Sequence, residues 1–169
     1  MILGATLLAA QLGLASGGNS AGRVENEVRR QLVTLPHYSL FDNFTYKVEG
    51  DTVTLMGKVS RPTLKNDAEK AVKRIEGVEK VSNQITILPL SSSDAQLRVD
   101  LYYTIYGHSA LQLLSMRSVP PIHIIVENGH VTLEGVVANE MQKTIARIQA
   151  NGLHGVFSVT DNLRVDSES

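Results

Sequence analysis

Hydrophobic positions along the chain change their spacing in a regular way. Val24, Val28, Leu32 and Leu35 recur at i, i+4, i+8 and i+11, which puts them on one face of a helix. Phe44 to Glu49 and Thr52 to Val59 then alternate at period two, and Gly50-Asp51 between them reads as a hairpin turn. Helical spacing returns at Leu64, Ala68, Ala71, Val72 and Ile75, with Lys and Glu opposite. Gly77 is expected to end that helix, because glycine tolerates the left-handed backbone of a helix terminus. Lys80 to Leu88 follows as a strand that points Val81, Ile85 and Ile87 to one side.

Shifted by 78 positions, the chain matches itself. Val48-Glu49 meets Val126-Glu127, Val53-Thr54-Leu55 meets Val131-Thr132-Leu133, and Gly57 meets Gly135. The match continues through Lys65 with Lys143, Ala68 with Ala146, and Gly77-Val78 with Gly155-Val156. A constant offset over so many positions marks an internal repeat. In the second copy Leu97, Leu101 and Ile105 supply the helical stripe, and Asn128-Gly129 supplies the hairpin turn. The predicted class is α+β: two repeats of an α-β-β-α-β unit, each a three-stranded mixed sheet with two helices on one face. The hairpin makes two strands antiparallel, and a right-handed crossover through the second helix returns the third. The units are expected at 23–89 and 94–166, joined by the short segment LPLSSSD. Gly57 and Gly135 lie inside strand patterns, where glycine marks a bulge or a close backbone approach.

Met1 to Ala15 is apolar apart from Thr6 and Gln11. Spanning a bilayer takes about 20 such residues, so the segment fits the core of a secretory signal instead. Gly13 and Ala15 place small residues before a possible cleavage at Ser16, although no Lys or Arg precedes the apolar run. Residues 1–22 are therefore expected to be a signal-like leader and a flexible spacer, with no transmembrane span in the mature chain.

Charge and composition narrow the function. A hydrophobic share of 43% with 20% charged residues fits a folded chain. The net charge of −1 provides no basic field for nucleic acid. No cysteine is present, which removes disulfides, thiol catalysis, Cys-based zinc sites and lipid attachment through Cys from the sequence as it stands. Five histidines (His37, His108, His123, His130 and His154) match no helical metal-binding spacing, and His123 and His130 are expected to face each other across the second hairpin. No serine elbow and no phosphate-binding glycine loop occur. Catalytic residues, metal ligands and cofactors are accordingly expected to be none.

The segments VEGDTVTLMGKV with GVEKVSNQI, and VENGHVTLEGVV with GVFSVTDNL, resemble the BON domain family (bacterial OsmY and nodulation). The resemblance runs from Val24 to Val165, with Asn83 aligned to Asp161 and Asn162 one position later. It implies a non-enzymatic periplasmic or envelope protein, associated with osmotic or envelope stress, that binds phospholipid membranes or other envelope components.

One region invites a binding role. Tyr102, Tyr103 and Tyr106 crowd the first helix of the second copy, and the segment from Gly107 to Pro121 is about five residues longer than its counterpart. Tyrosine suits a boundary with one apolar and one wet side. Leu113, Leu114 and Met116 are expected to dip into lipid headgroups, with Arg98 and Arg117 meeting phosphates. A short extra helix that caps its own sheet would use the same apolar residues. The expected partner is an anionic phospholipid surface; the alternative is an envelope protein docked on the same patch. Lys65, Lys70, Lys73 and Arg74 form a second basic face, but Asp67, Glu69 and Glu76 interleave them as a solvated helix surface would.

Overall fold

The computed structural model describes residues 17–166. The leader at Met1 to Ala15 lies outside the described residues. Helix α1 spans Gly17–Val33, so residues 17–22 are helical where a flexible spacer was expected. Val24, Val28 and Leu32 are buried as its stripe requires. Strands β1 (Asn43–Glu49) and β2 (Thr52–Val59) form the antiparallel hairpin, and α2 (Pro62–Val72) crosses over to β3 (Lys80–Asn83), which runs parallel to β2. The second repeat has α3 (Ser92–Tyr106), a 3-10 helix (Gln112–Met116), β5 (Ile122–Glu127), β6 (His130–Val137), α4 (Glu140–Asn151) and β7 (Ser158–Val165). Its sheet order is β5-β6-β7, antiparallel then parallel. Strands β2 and β6, and the starts of α2 and α4, keep the offset of 78. The first helices do not. Val24, Val28 and Leu32 correspond to Leu97, Leu101 and Ile105 at an offset of 73, which locates the five-residue insertion between helix and hairpin.

Two details differ from expectation. Helix α2 stops at Val72, and residues up to Gly77 continue in tighter turns that still bury Ile75. The last strand of the first sheet is also broken, with β4 (Thr86–Ile87) resuming beside β2 after Gln84-Ile85. Asn83 stands at the break. Its side chain donates to the Lys65 carbonyl at 2.9 Å and accepts the Ile85 N–H at 3.2 Å. Ile85 is buried, whereas Ile87 keeps its register with Val59 but is exposed at the sheet edge. Asp161 accepts the Leu163 N–H at 3.0 Å in the same way, which makes it, and not Asn162, the counterpart of Asn83.

Gly57 and Gly135 both have positive φ, +113° and +124°. A Cβ on either would run into a backbone carbonyl, that of Asn43 or of Pro121. Only glycine lets the hairpin strands approach so closely there.

Each repeat has its own core between helices and sheet. The two cores are joined by residues 36–42 of the first repeat. The Leu40 carbonyl accepts the Ile124 N–H at 2.7 Å, which covers the open edge of β5. Leu40 and Phe41 pack against the second core. The Asp42 carbonyl lies 2.6 Å from His123 Nδ1. A carbonyl can only accept, so Nδ1 carries the proton. Ile125 shares its sheet face with His123 and Glu127 and is buried, although that face points away from the helices. Glu127 pairs with Lys58 of the first repeat.

Candidate functional site

The five-residue insertion builds the candidate site. Leu111 is buried in the second core and fixes the start of the 3-10 helix. Leu114 packs half-buried against the same core. Leu113 and Met116 stand on the other side, 78% and 81% exposed. Residues three apart eclipse one another in a 3-10 helix, so these two side chains project together. Arg117 follows, exposed, where the chain turns extended.

Helix α3 supplies the rest. Tyr103 is 69% exposed, and Val99, one turn earlier, extends its stripe. Tyr102 is half-buried, with its ring 5.3 Å from both Tyr103, edge-on, and Tyr106. Tyr106 is only 3% exposed. Its hydroxyl accepts the Ile122 N–H and donates to the Ile122 carbonyl, both at 2.9 Å, and burial raises its pKa. It therefore seals the start of β5 and is not a surface residue.

Arg98 also departs from expectation. It is 8% exposed and donates to the Val126 carbonyl at 2.7 Å, so it cannot meet a phosphate at a surface. The reason lies one turn earlier. Ser91 caps α3 by accepting the Asp94 N–H at 3.1 Å, and the buried Asp94 carboxylate accepts the N–H groups of Asn128 and Gly129 at 2.8 and 2.9 Å. The helix is thereby stapled to the hairpin turn, and Arg98 is drawn onto the edge of β5. The spacing Ser91-x-x-Asp94 was a legible capping signal. Nothing local in the sequence marked Asp94 as the staple.

The expected site residues thus separate. Tyr103, Leu113, Met116 and Arg117 face outward on two packed elements, Tyr102 and Leu114 support them, and Arg98 and Tyr106 belong to the framework. Among the described residues the first repeat has no equivalent. At the offset of 73, Arg29 and Arg30 occupy the places of Tyr102 and Tyr103.

His123 and His130 do not face each other. The hairpin turns at Asn128-Gly129, so His123 pairs with Glu134 and His130 with Glu127. His123 is half-buried, and the desolvation lowers its pKa despite the adjacent Asp42 carbonyl. Among the described residues no group of three metal-ligating side chains gathers, and no helix is long and apolar enough to cross a membrane. Further exposed apolar side chains that sequence reading did not single out are Met141 and Ile148 on α4 and Phe157. The first two are seven apart on a helix, a spacing that would have placed them on one face.

Comparison with known proteins agrees with the repeat. A family model described as "BON domain" matches residues 20–89 and again residues 110–167. The outer membrane lipoprotein DolP of Haemophilus influenzae is 32% identical over 107 residues, covering 63% of this chain and 54% of that protein. The chain thus spans about half the length of this curated relative. Two solved structures of CdsD, a structural protein of the type III secretion system of Chlamydia trachomatis, also align. The first is 11% identical at a TM-score of 0.33, covering 86% of this chain and 94% of that one. The second, of the C-terminal domain, is 12% identical at a TM-score of 0.28, covering 84% and 96%.

Proposed function

The chain belongs to the BON domain family, with two copies of the domain, and from that premise we propose that it is a non-enzymatic cell-envelope protein that docks on anionic phospholipid membranes. The observation that carries the reading is the exposure of Tyr103 on α3 and of Leu113, Met116 and Arg117 on the insertion packed against that helix, all in the second repeat. An envelope location is supported by the relative described as an outer membrane lipoprotein. Association with osmotic or envelope stress rests on the family resemblance alone.

The docking mode is shallow. Withdrawing Leu113 and Met116 fully from water would contribute about 1.5–3 kcal/mol each. Arg117 near an anionic surface adds about 1 kcal/mol. Such sums support reversible surface binding and fall short of anchoring. Tyr103 fits the same boundary, because its ring is apolar and its hydroxyl stays wet.

Co-sedimentation of the full chain with vesicles of phosphatidylcholine, with and without phosphatidylglycerol, tests the proposal. The expected result is pelleting with the anionic vesicles, release at high salt, and loss of pelleting in Tyr103→Ala and Leu113→Ser. No pelleting with either composition at low salt overturns it. The second reading, docking of an envelope protein, is favoured by the open edge of β7, which pairs only with β6 among the described residues.

A further inference from the structure

The two repeats flank a cleft of about 770 Å³ that shares Leu114 and Arg117 with the patch but is not lined by Tyr103, Leu113 or Met116. Its lining includes Arg29 of α1, Arg117 of the insertion and Arg164 of β7, with Asp166 as its one carboxylate among the described residues. None of the three arginines forms an ion pair among the described residues. Three guanidinium groups lining one concavity give it a positive field that favours an anion. Guanidinium is also the side chain whose planar fork matches phosphate oxygens two at a time. Tyr38 and Phe44, stacked with centroids 5.3 Å apart, form part of an aromatic wall. The volume is that of an ordinary small-ligand site.

We infer that this cleft binds a phosphate ester, held by Arg29, Arg117 and Arg164, with its organic part against the aromatic wall. Among the described residues the three arginines exceed the one acid by two charges, which suits a phosphate of about −1 to −2. Because α1 belongs to the first repeat and β7 to the second, the occupant would bridge the repeats. The sequence could not show this grouping, since the three positions are far apart and unrelated by the repeat.

Two sources share this chemistry: a free phosphate ester and a lipid headgroup. Isothermal titration of the full chain with glycerol 3-phosphate, and separately with dihexanoyl phosphatidylglycerol below its micelle concentration, distinguishes them. Binding of the first points to a free ester, and binding of the second alone points to a headgroup. In either case Arg29→Gln and Arg164→Gln should weaken binding about tenfold each, and Arg164→Lys should weaken it less. Both residues are exposed, so the variants are expected to fold, and near-UV circular dichroism checks this. Binding of neither probe, or binding unchanged in both glutamine variants, overturns the inference. Tyr103 does not line the cleft, so the vesicle assay on Tyr103→Ala stands or fails separately.

Discussion

Asp42 carries the junction between the repeats, and replacing it should be costly. The residue is fully buried. One carboxylate oxygen accepts the Ser39 N–H at 3.0 Å and the Ser39 hydroxyl at 2.8 Å. The other accepts the Ser60 N–H at 2.6 Å and the Ser60 hydroxyl at 2.7 Å. In Asp42→Ala the two hydroxyls can turn to other acceptors, but the two backbone N–H groups are left without partners. An orphaned buried donor costs about 1–3 kcal/mol, so two of them should cost about 2–6 kcal/mol. Asp42→Asn keeps one acceptor oxygen and turns an amide toward donors, and should lose about 1–2 kcal/mol. The effect should reach the second repeat, because the same turn holds the Leu40 carbonyl against Ile124. Urea unfolding measures the stability, and amide exchange at Ile124 reads the junction. A midpoint shift worth less than about 0.5 kcal/mol would refute the reasoning. So would full protection of Ile124 in the alanine variant.

Other outcomes follow from the same structure. His123 is kept neutral by burial below its usual value of 6.5, so the unfolded chain takes up the proton first. Its contribution to stability is full above pH 6.5 and declines as pH falls through the folded value; His123→Gln should flatten that slope, and a wild-type stability that rises on acidification would contradict the sign. Gly135→Ala should cost about 2–4 kcal/mol by thermal denaturation, because its φ is positive and the Pro121 carbonyl blocks a Cβ. An alanine tolerated within about 0.5 kcal/mol would show that the strands can separate there. Leu111→Ala should lose about 2–5 kcal/mol, whereas Leu113→Ser, two residues away, should stay within about 0.5 kcal/mol in the same melt.

Local pattern carried most of the fold and about half of the candidate site. Strand β2 matched its alternation from Thr52 to Val59, and the 78-residue offset made β6 a copy of it. The break between β3 and β4 was not legible, because Val81, Ile85 and Ile87 keep one period-two register across Lys80 to Leu88, and the contact of Asn83 with α2 beside the break is one that periodicity does not encode. In the site, Leu113 and Met116 were identified by their apolar character in an insertion. Their neighbours Arg98 and Tyr106 looked equally available, yet tertiary hydrogen bonds to Val126 and Ile122 bury both. Spacing on α3 could separate the buried stripe from the rest, but not a tyrosine turned inward from one turned outward. Arg29 and Arg164 left no trace, since only the packing of one repeat on the other brings them to one cleft.

Fluorescence gives the most direct test of membrane docking through the second repeat. The chain has no tryptophan, so Leu113→Trp introduces a single reporter in the patch, and Ile148→Trp introduces one on the exposed face of α4. With phosphatidylglycerol vesicles, emission from the first variant should shift to the blue and be quenched by brominated acyl chains, while the second stays unchanged. An unshifted spectrum from the first, or equal shifts from both, would contradict docking through this surface.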